Sequence, residues 1–94
     1  MSVKVQIPTP LRQIAGGQAA VEVAASTVGE SLAKLFEVHP TMGGKLFDNG
    51  KLRRHVNIFV NDEDIRYLED LATPVKEGDE IAIIPAVAGG SVQT

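Results

Sequence analysis

The residues best placed to do chemistry are Gly89 and Gly90. They follow an apolar run, Ile83-Ile84-Pro85-Ala86-Val87-Ala88, that reads as the end of a buried strand. A backbone without Cβ can thread a narrow channel and bring a chain end close to a reactive centre in another protein. A terminal glycine carboxylate is also the least hindered carboxylate a chain can offer. In this sequence Ser91-Val92-Gln93-Thr94 follows Gly90, so its carbonyl is part of an amide. The plain alternative is a frayed, flexible end. That alternative is weakened by the small residues leading into the pair and by the lack of rival chemistry elsewhere.

The rest of the chain offers little. There is no cysteine among the 94 residues, which removes disulfides, thiolate metal sites and a thiol nucleophile. His39 and His55 are the two histidines, and neither sits in a ligand-spaced cluster. Asp62, Glu63 and Asp64 read as a solvated acidic turn, so no metal is expected. Gly16-Gly17 and Gly43-Gly44 lack the flanking pattern of a phosphate loop. The chain is therefore expected not to be an enzyme on its own and to bind no cofactor. A net charge of −3 argues against nucleic acid as a partner. No charged-then-apolar leader and no run of 18 apolar residues stands out, so no membrane is expected and the cytoplasm is the default.

The elements that must position the tail form a single domain. Val3 to Ile7 alternates apolar and polar residues as a half-buried strand, and Pro8 and Pro10 stop it. Leu11 to Gly17 is a connection, and Ala19, Val21 and Val23 alternate as a second strand that closes a long hairpin. Thr27 and Glu30 have capping-box spacing, with the carboxylate expected to reach back to the capping residue. Val28, Leu32, Leu35 and Phe36 then share one helix face, which Pro40 ends. Met42 to Gly50 reads as irregular, with Gly43-Gly44 and Asp48-Asn49-Gly50 as turn chemistry. His55 to Val60 is the third strand, Asn61 to Asp64 a turn, and Ile65 to Tyr67 a short edge strand. Leu71 to Val75 is an irregular loop, and the last strand runs from Glu80 to about Val87. This β-β-α-β-β-β order predicts an α+β layer pair.

Strand alternation also suggests a docking surface. With Val56, Ile58 and Val60 facing the helix, Asn57 and Phe59 face outward; with Ile81 and Ile83 in the core, Ala82 and Ile84 face outward. Phe59 and Ile84 are thus candidates for an exposed apolar patch, unless the loop at Leu71 to Val75 covers them. Arg53, Arg54 and Arg66 are candidates for charge steering of a protein partner.

The helix "TVGESLAKL", the strand "VNIFVNDEDIR" and the segment "VKEGDEIAIIPAVAGG" resemble the ThiS/MoaD sulfur carriers over nearly the whole chain. The strand and tail segments are most similar to those of the CysO-type carriers of cysteine biosynthesis. The resemblance implies a ubiquitin-like β-grasp fold, with a mixed sheet of four to five strands packed on one main helix. It implies a carrier domain over residues 1–90 and a removable extension over 91–94. An E1-like enzyme using ATP would adenylate Gly90, and a sulfur donor would displace AMP to leave a thiocarboxylate. Gly89 and Ala88 would thread into the partner. A JAMM-type metalloprotease would first cut between Gly90 and Ser91, and a cysteine-synthase-like enzyme would accept the sulfur. A free carrier is expected to be a monomer. Molybdopterin synthase small subunits and thiamin-type carriers share the tail chemistry, and a ubiquitin-like protein modifier would use it for isopeptide bonds.

Overall fold

A computed structural model describes residues 2–53 and 56–85. Two strands open the chain, β1 (Ser2–Gln6) and β2 (Ala20–Ala24), paired antiparallel with Val5 opposite Val21. Two helices follow, α1 (Val28–Val38) and α2 (Pro40–Leu46). A small hairpin of β3 (Phe47–Asp48) and β4 (Lys51–Leu52) stands apart from the main sheet. The chain then returns through β5 (Val56–Val60), β6 (Glu63–Asp64) and β7 (Glu80–Pro85). The main sheet has the order β2-β1-β7-β5-β6, with β7 parallel to β1 and antiparallel to β5. Parallel neighbours require a crossover, and everything between β2 and β7 supplies it. This is the β-grasp arrangement: a mixed sheet wrapped on one main helix.

The core lies between α1 and the sheet. Val28, Leu32 and Leu35 from the helix meet Val5, Ile58 and Ile81 from the strands, all of them buried. Burying a side chain of this size contributes about 1.5–3 kcal/mol. The helix starts as its sequence directs, with Thr27 Oγ1 accepting the Glu30 N–H at 3.1 Å. The reciprocal bond is displaced by one residue, however. The Glu30 carboxylate accepts the Ser26 N–H at 2.7 Å and the Ser26 hydroxyl at 3.0 Å, rather than returning to Thr27.

Three expectations are corrected, and the turn expected at Asp48-Asn49-Gly50 is present. Pro40 does end α1, through the broken conformation of His39, but it also begins α2, at the first helical position where no N–H is needed. Residues 42–46 are therefore helical despite Gly43-Gly44, because Met42 and Leu46, four apart, are both buried. Asn49 and Gly50, at φ 54° and 78°, form a two-residue turn of the kind that joins β3 to β4 as a hairpin. The connection after β1 contains a 3-10 helix, Thr9–Ala15, which buries Ala15. The short edge strand is β6, over Glu63–Asp64; Ile65–Tyr67 is 3-10 helical because Asp64 Oδ1 caps the Arg66 N–H at 2.9 Å.

A second polar fixture holds the start of β7. Asn61 Nδ2 donates to Asp79 Oδ1 at 3.0 Å, and its Oδ1 accepts the Glu80 N–H at 3.1 Å. Asp79 Oδ2 accepts the Lys76 N–H at 2.9 Å across the turn at Gly78. The Asn61 amide, then the Lys76 N–H, hold the Asp79 carboxyl below its ordinary value of 3.8; the Ser26 N–H and hydroxyl do the same for Glu30, ordinarily 4.5. Both groups have depressed folded-state values, so their stabilisation is complete above the ordinary values and is lost as pH falls through the lowered ones. Thermal unfolding followed from about pH 6 to about pH 2.5 should show Tm falling below about pH 4. Asp79→Asn should lower Tm at neutral pH and flatten that acid limb. Leu35→Ala, by emptying a fully buried site, should cost about 2–5 kcal/mol in denaturant titrations.

Candidate functional site

β7 is the strand that delivers the chain toward Gly89-Gly90, and its surroundings define the candidate site. Ile81 and Ile83 point into the core, while Ala82 and Ile84 alternate to the outer face, where Ile84 is 47% exposed. Asn57 stands opposite Ile84, and Phe59 opposite Ala82, so these four share the outer face, with Phe59 half-buried. Gln6 lies opposite Ala82 on the other side. The expected outward pair, Phe59 and Ile84, is thus on one face. The Leu71–Val75 segment does not cover it. That segment runs along the start of α1, where the Val28 N–H donates to Thr73 O and the Val75 N–H to Ser26 O, and Leu71 O abuts Gly29. A Cβ at Gly29 would lie 3.1 Å from that carbonyl, which explains the glycine in the helix's first turn.

The pairing of β7 is uneven along its length. β1 pairs with it only from Glu80 to Ala82. Beyond that point β1 stays paired with β2, the Ile7 N–H donating to Ala19 O at 2.8 Å, while Pro8, the next residue to face β7, has no N–H with which to continue that ladder. Among the described residues β5 alone carries the pairing on, as far as Pro85 opposite Val56. The last residues of β7 are consequently held on one edge and open on the other. An open groove of about 500 Å3 lies along that edge, lined among others by Gln6, Pro8, Arg12, Ala82 and Ile84. Arg12 is fixed there by its Nε–H to Ile7 O at 3.0 Å. Charges alternate across the start of the face, with Lys4 between Glu22 and Glu80 in register.

Arg66 belongs to this face. Its Nη2 donates to Asn57 Oδ1 at 2.6 Å and to Asp64 Oδ2 at 2.8 Å, which brings the guanidinium beside Asn57, itself opposite Ile84. The Arg66 side chain and then its N–H hold the Asp64 carboxyl below its ordinary range. Arg53 does not join the group: its Nη2 and Nε donate to Gly44 O at 3.0 and 3.3 Å, so it serves the end of α2. Arg54, Ala88, Gly89, Gly90 and Ser91 lie outside the described residues.

Among the described residues no group of His, Cys, Asp or Glu could hold a metal ion. His39 Nε2 lies 3.3 Å from Gln18 Oε1, and no helix among the described residues is long and apolar enough to cross a membrane. The Asp64–Arg66–Asn57 network was not read from the sequence. Its one local signal is the Asp-x-Arg spacing, which looks like any solvated charge pair until Asn57 is brought alongside.

Comparison with known proteins agrees with this geometry. The chain is 45% identical over 93 residues to the sulfur carrier protein CysO of Mycobacterium tuberculosis, across 96% of this chain and 100% of that one. It is 34% identical over 65 residues to small archaeal modifier protein 3 of Haloferax volcanii, across 69% of this chain and 71% of that one. A chain in the crystal structure of the Amycolatopsis orientalis BexX/CysO complex superposes with a TM-score of 0.87 at 43% identity, across 94% of this chain and 99% of that one. The ThiS family matches residues 5–90, a span that takes in the half-paired β7 together with the diglycine beyond it. A β-grasp body ending in such a strand, matched over that length, makes this chain a member of the ThiS family.

Proposed function

We propose that this chain is a sulfur carrier whose reactive atom is its own terminus, Gly90, exposed by removal of residues 91–94. The observation that carries the reading is the geometry of β7. The strand is anchored below by Ile81 and Ile83, is freed on one edge past Ala82, and continues in sequence into small residues and two glycines. Five residues beyond Pro85, Gly90 is at most about 18 Å away along an extended chain. That reach suits a partner's channel while the folded body stays outside it.

The chemistry follows from the weakness of a carboxylate as an electrophile. The Gly90 carboxylate attacks the α-phosphorus of ATP in the activating enzyme, releasing pyrophosphate and forming an acyl-adenylate. A sulfide-level donor then attacks the acyl carbon and expels AMP, leaving a thiocarboxylate. An E1-like enzyme would catalyse these steps in the cytoplasm, where ATP is supplied. Cysteine biosynthesis, through a cysteine-synthase-like acceptor, is the finer assignment, supported by the likeness to CysO over the full chain. The amide at Gly90–Ser91 requires prior hydrolysis, for which a JAMM-type metalloprotease is the proposed agent. A second reading, as a protein modifier, is favoured by the likeness to small archaeal modifier protein 3 and uses the same adenylate with a lysine amine as acceptor.

Incubation of protein ending at Gly90, beside the full chain, with ATP, sulfide and the activating enzyme tests the assignment. Intact mass should show one oxygen exchanged for sulfur only in the shortened form; equal labelling of the full chain would refute the need for cleavage. Gly90 joined to lysine side chains in cells would favour the modifier reading. Phe59→Ser should raise the KM for the carrier about tenfold while Tm falls by less than about 8 °C. A larger thermal loss would assign Phe59 to the core.

A further inference from the structure

We propose that Asp64 is a positioning residue, holding the Arg66 guanidinium at the β5–β6 edge of the outer face so that its Nη1 donors, beside Asn57, receive a main-chain carbonyl of the activating enzyme. This rests on the carrier reading above and assigns the chemistry of one contact within it.

Arg66 is unusual in being both exposed and fixed. Its side chain is 60% exposed, while that of Asp64 is 10% exposed. A free arginine keeps much rotamer entropy, which a contact must overcome to use it. Here Nε donates to Asp64 Oδ1 and Oδ2 at 3.2 and 3.3 Å, and Nη2 donates to Asp64 Oδ2 and Asn57 Oδ1 at 2.8 and 2.6 Å. Asp64 is itself held by the Arg66 N–H at 2.9 Å. The rotamer is thus determined before any partner arrives. A guanidinium has five N–H donors. Those of Nη1 make no bond among the described residues, and they sit next to Asn57, whose cross-strand neighbour is the exposed Ile84. An ion pair this exposed adds little to stability. Ordering a donor in advance instead lowers the cost of binding.

The surroundings select the acceptor. Asp64 already offsets the guanidinium charge, and Asp70 also bears on Arg66. Glu63 and Glu69, both exposed, flank the same segment. A partner carboxylate would approach a locally negative surface, whereas a neutral carbonyl gains the Nη1 donors without that repulsion. Arg66 therefore acts as a short-range hydrogen-bond donor next to an apolar contact, and the charge steering expected of it from the sequence is not its main role.

The test uses protein ending at Gly90, the activating enzyme of the same organism, and ATP–pyrophosphate exchange. Asp64→Asn keeps the shape and the capping oxygen but weakens the clamp. It should raise the KM for the carrier about tenfold with kcat unchanged. Arg66→Lys, which retains charge but loses the fork, should do the same. The double variant should be no worse than Arg66→Lys alone, since Asp64 acts through Arg66. The ratio of variant to unaltered KM should stay constant from about 50 to about 500 mM salt. Slow exchange of the Arg66 Nε–H by NMR should be lost in Asp64→Asn, a readout independent of the enzyme. An unchanged KM, additive effects in the double variant, or a ratio that collapses with salt would overturn the assignment, the last pointing to a partner carboxylate. Failure of the unaltered carrier to support any exchange would overturn the carrier reading and this assignment with it; normal exchange with normal KM in both single variants would overturn this assignment alone.

Discussion

The parallel pairing between β1 and β7, and the point at which it stops, governs the organisation of this molecule. From Glu80 to Ala82 the final strand has hydrogen-bonded neighbours on both sides. Past Ala82 the missing donor of Pro8 ends the pairing with β1, and β5 is the neighbour that continues among the described residues. The strand therefore has a rigid root and a half-released end within a few residues. Ile81 and Ile83 bury the root in the core, so the release requires no loosening of the body. The sheet order follows from the same constraint: a central strand that must finish near an open edge needs one neighbour that ends early and another that runs on.

The remaining elements keep that root still. Asn61 ties the β5–β6 turn to the residues that lead into β7, and Asp79 closes the turn before it. The helix α1 presses Val28, Leu32 and Leu35 against the inner face, and its start is bound to the Thr73–Val75 segment by main-chain bonds. Polar fixtures thus set direction while apolar packing supplies most of the free energy. The outer face, relieved of core duty, is free to carry Phe59, Ile84 and the fixed Arg66.

Much of this was legible in the residues. Strict alternation in Val3–Ile7 and Val56–Val60 reported which side chains are buried, because a pleat has period two and one face is wet. The Thr27–Glu30 spacing located α1 for a similarly local reason. What escaped reading depended on tertiary context. Gly43-Gly44 argues against a helix, yet burial of Met42 and Leu46 overrides propensity. Ile65–Tyr67 has strand-like composition, yet the Asp64 cap winds it into a 3-10 helix. At the candidate site the outward pair Phe59 and Ile84 was readable from pattern. Arg53 donates to the Gly44 carbonyl, in a helix the sequence did not announce. The clamp on Arg66 needs Asn57, nine positions earlier, and strand register alone brings the two together.

Pro85 carries a consequence for self-association. Alternation along β7 aims the backbone nitrogen of residue 85 at the edge that β1 has abandoned, since Ala82 and Ile84 turn theirs toward β5. A bare strand margin is a template on which other chains can accrete into fibrils. With proline there, an invading strand finds no donor at the last rung, and its ladder is cut short. The molecule can thus keep a partially stripped β-strand while discouraging copies of itself from polymerising along it.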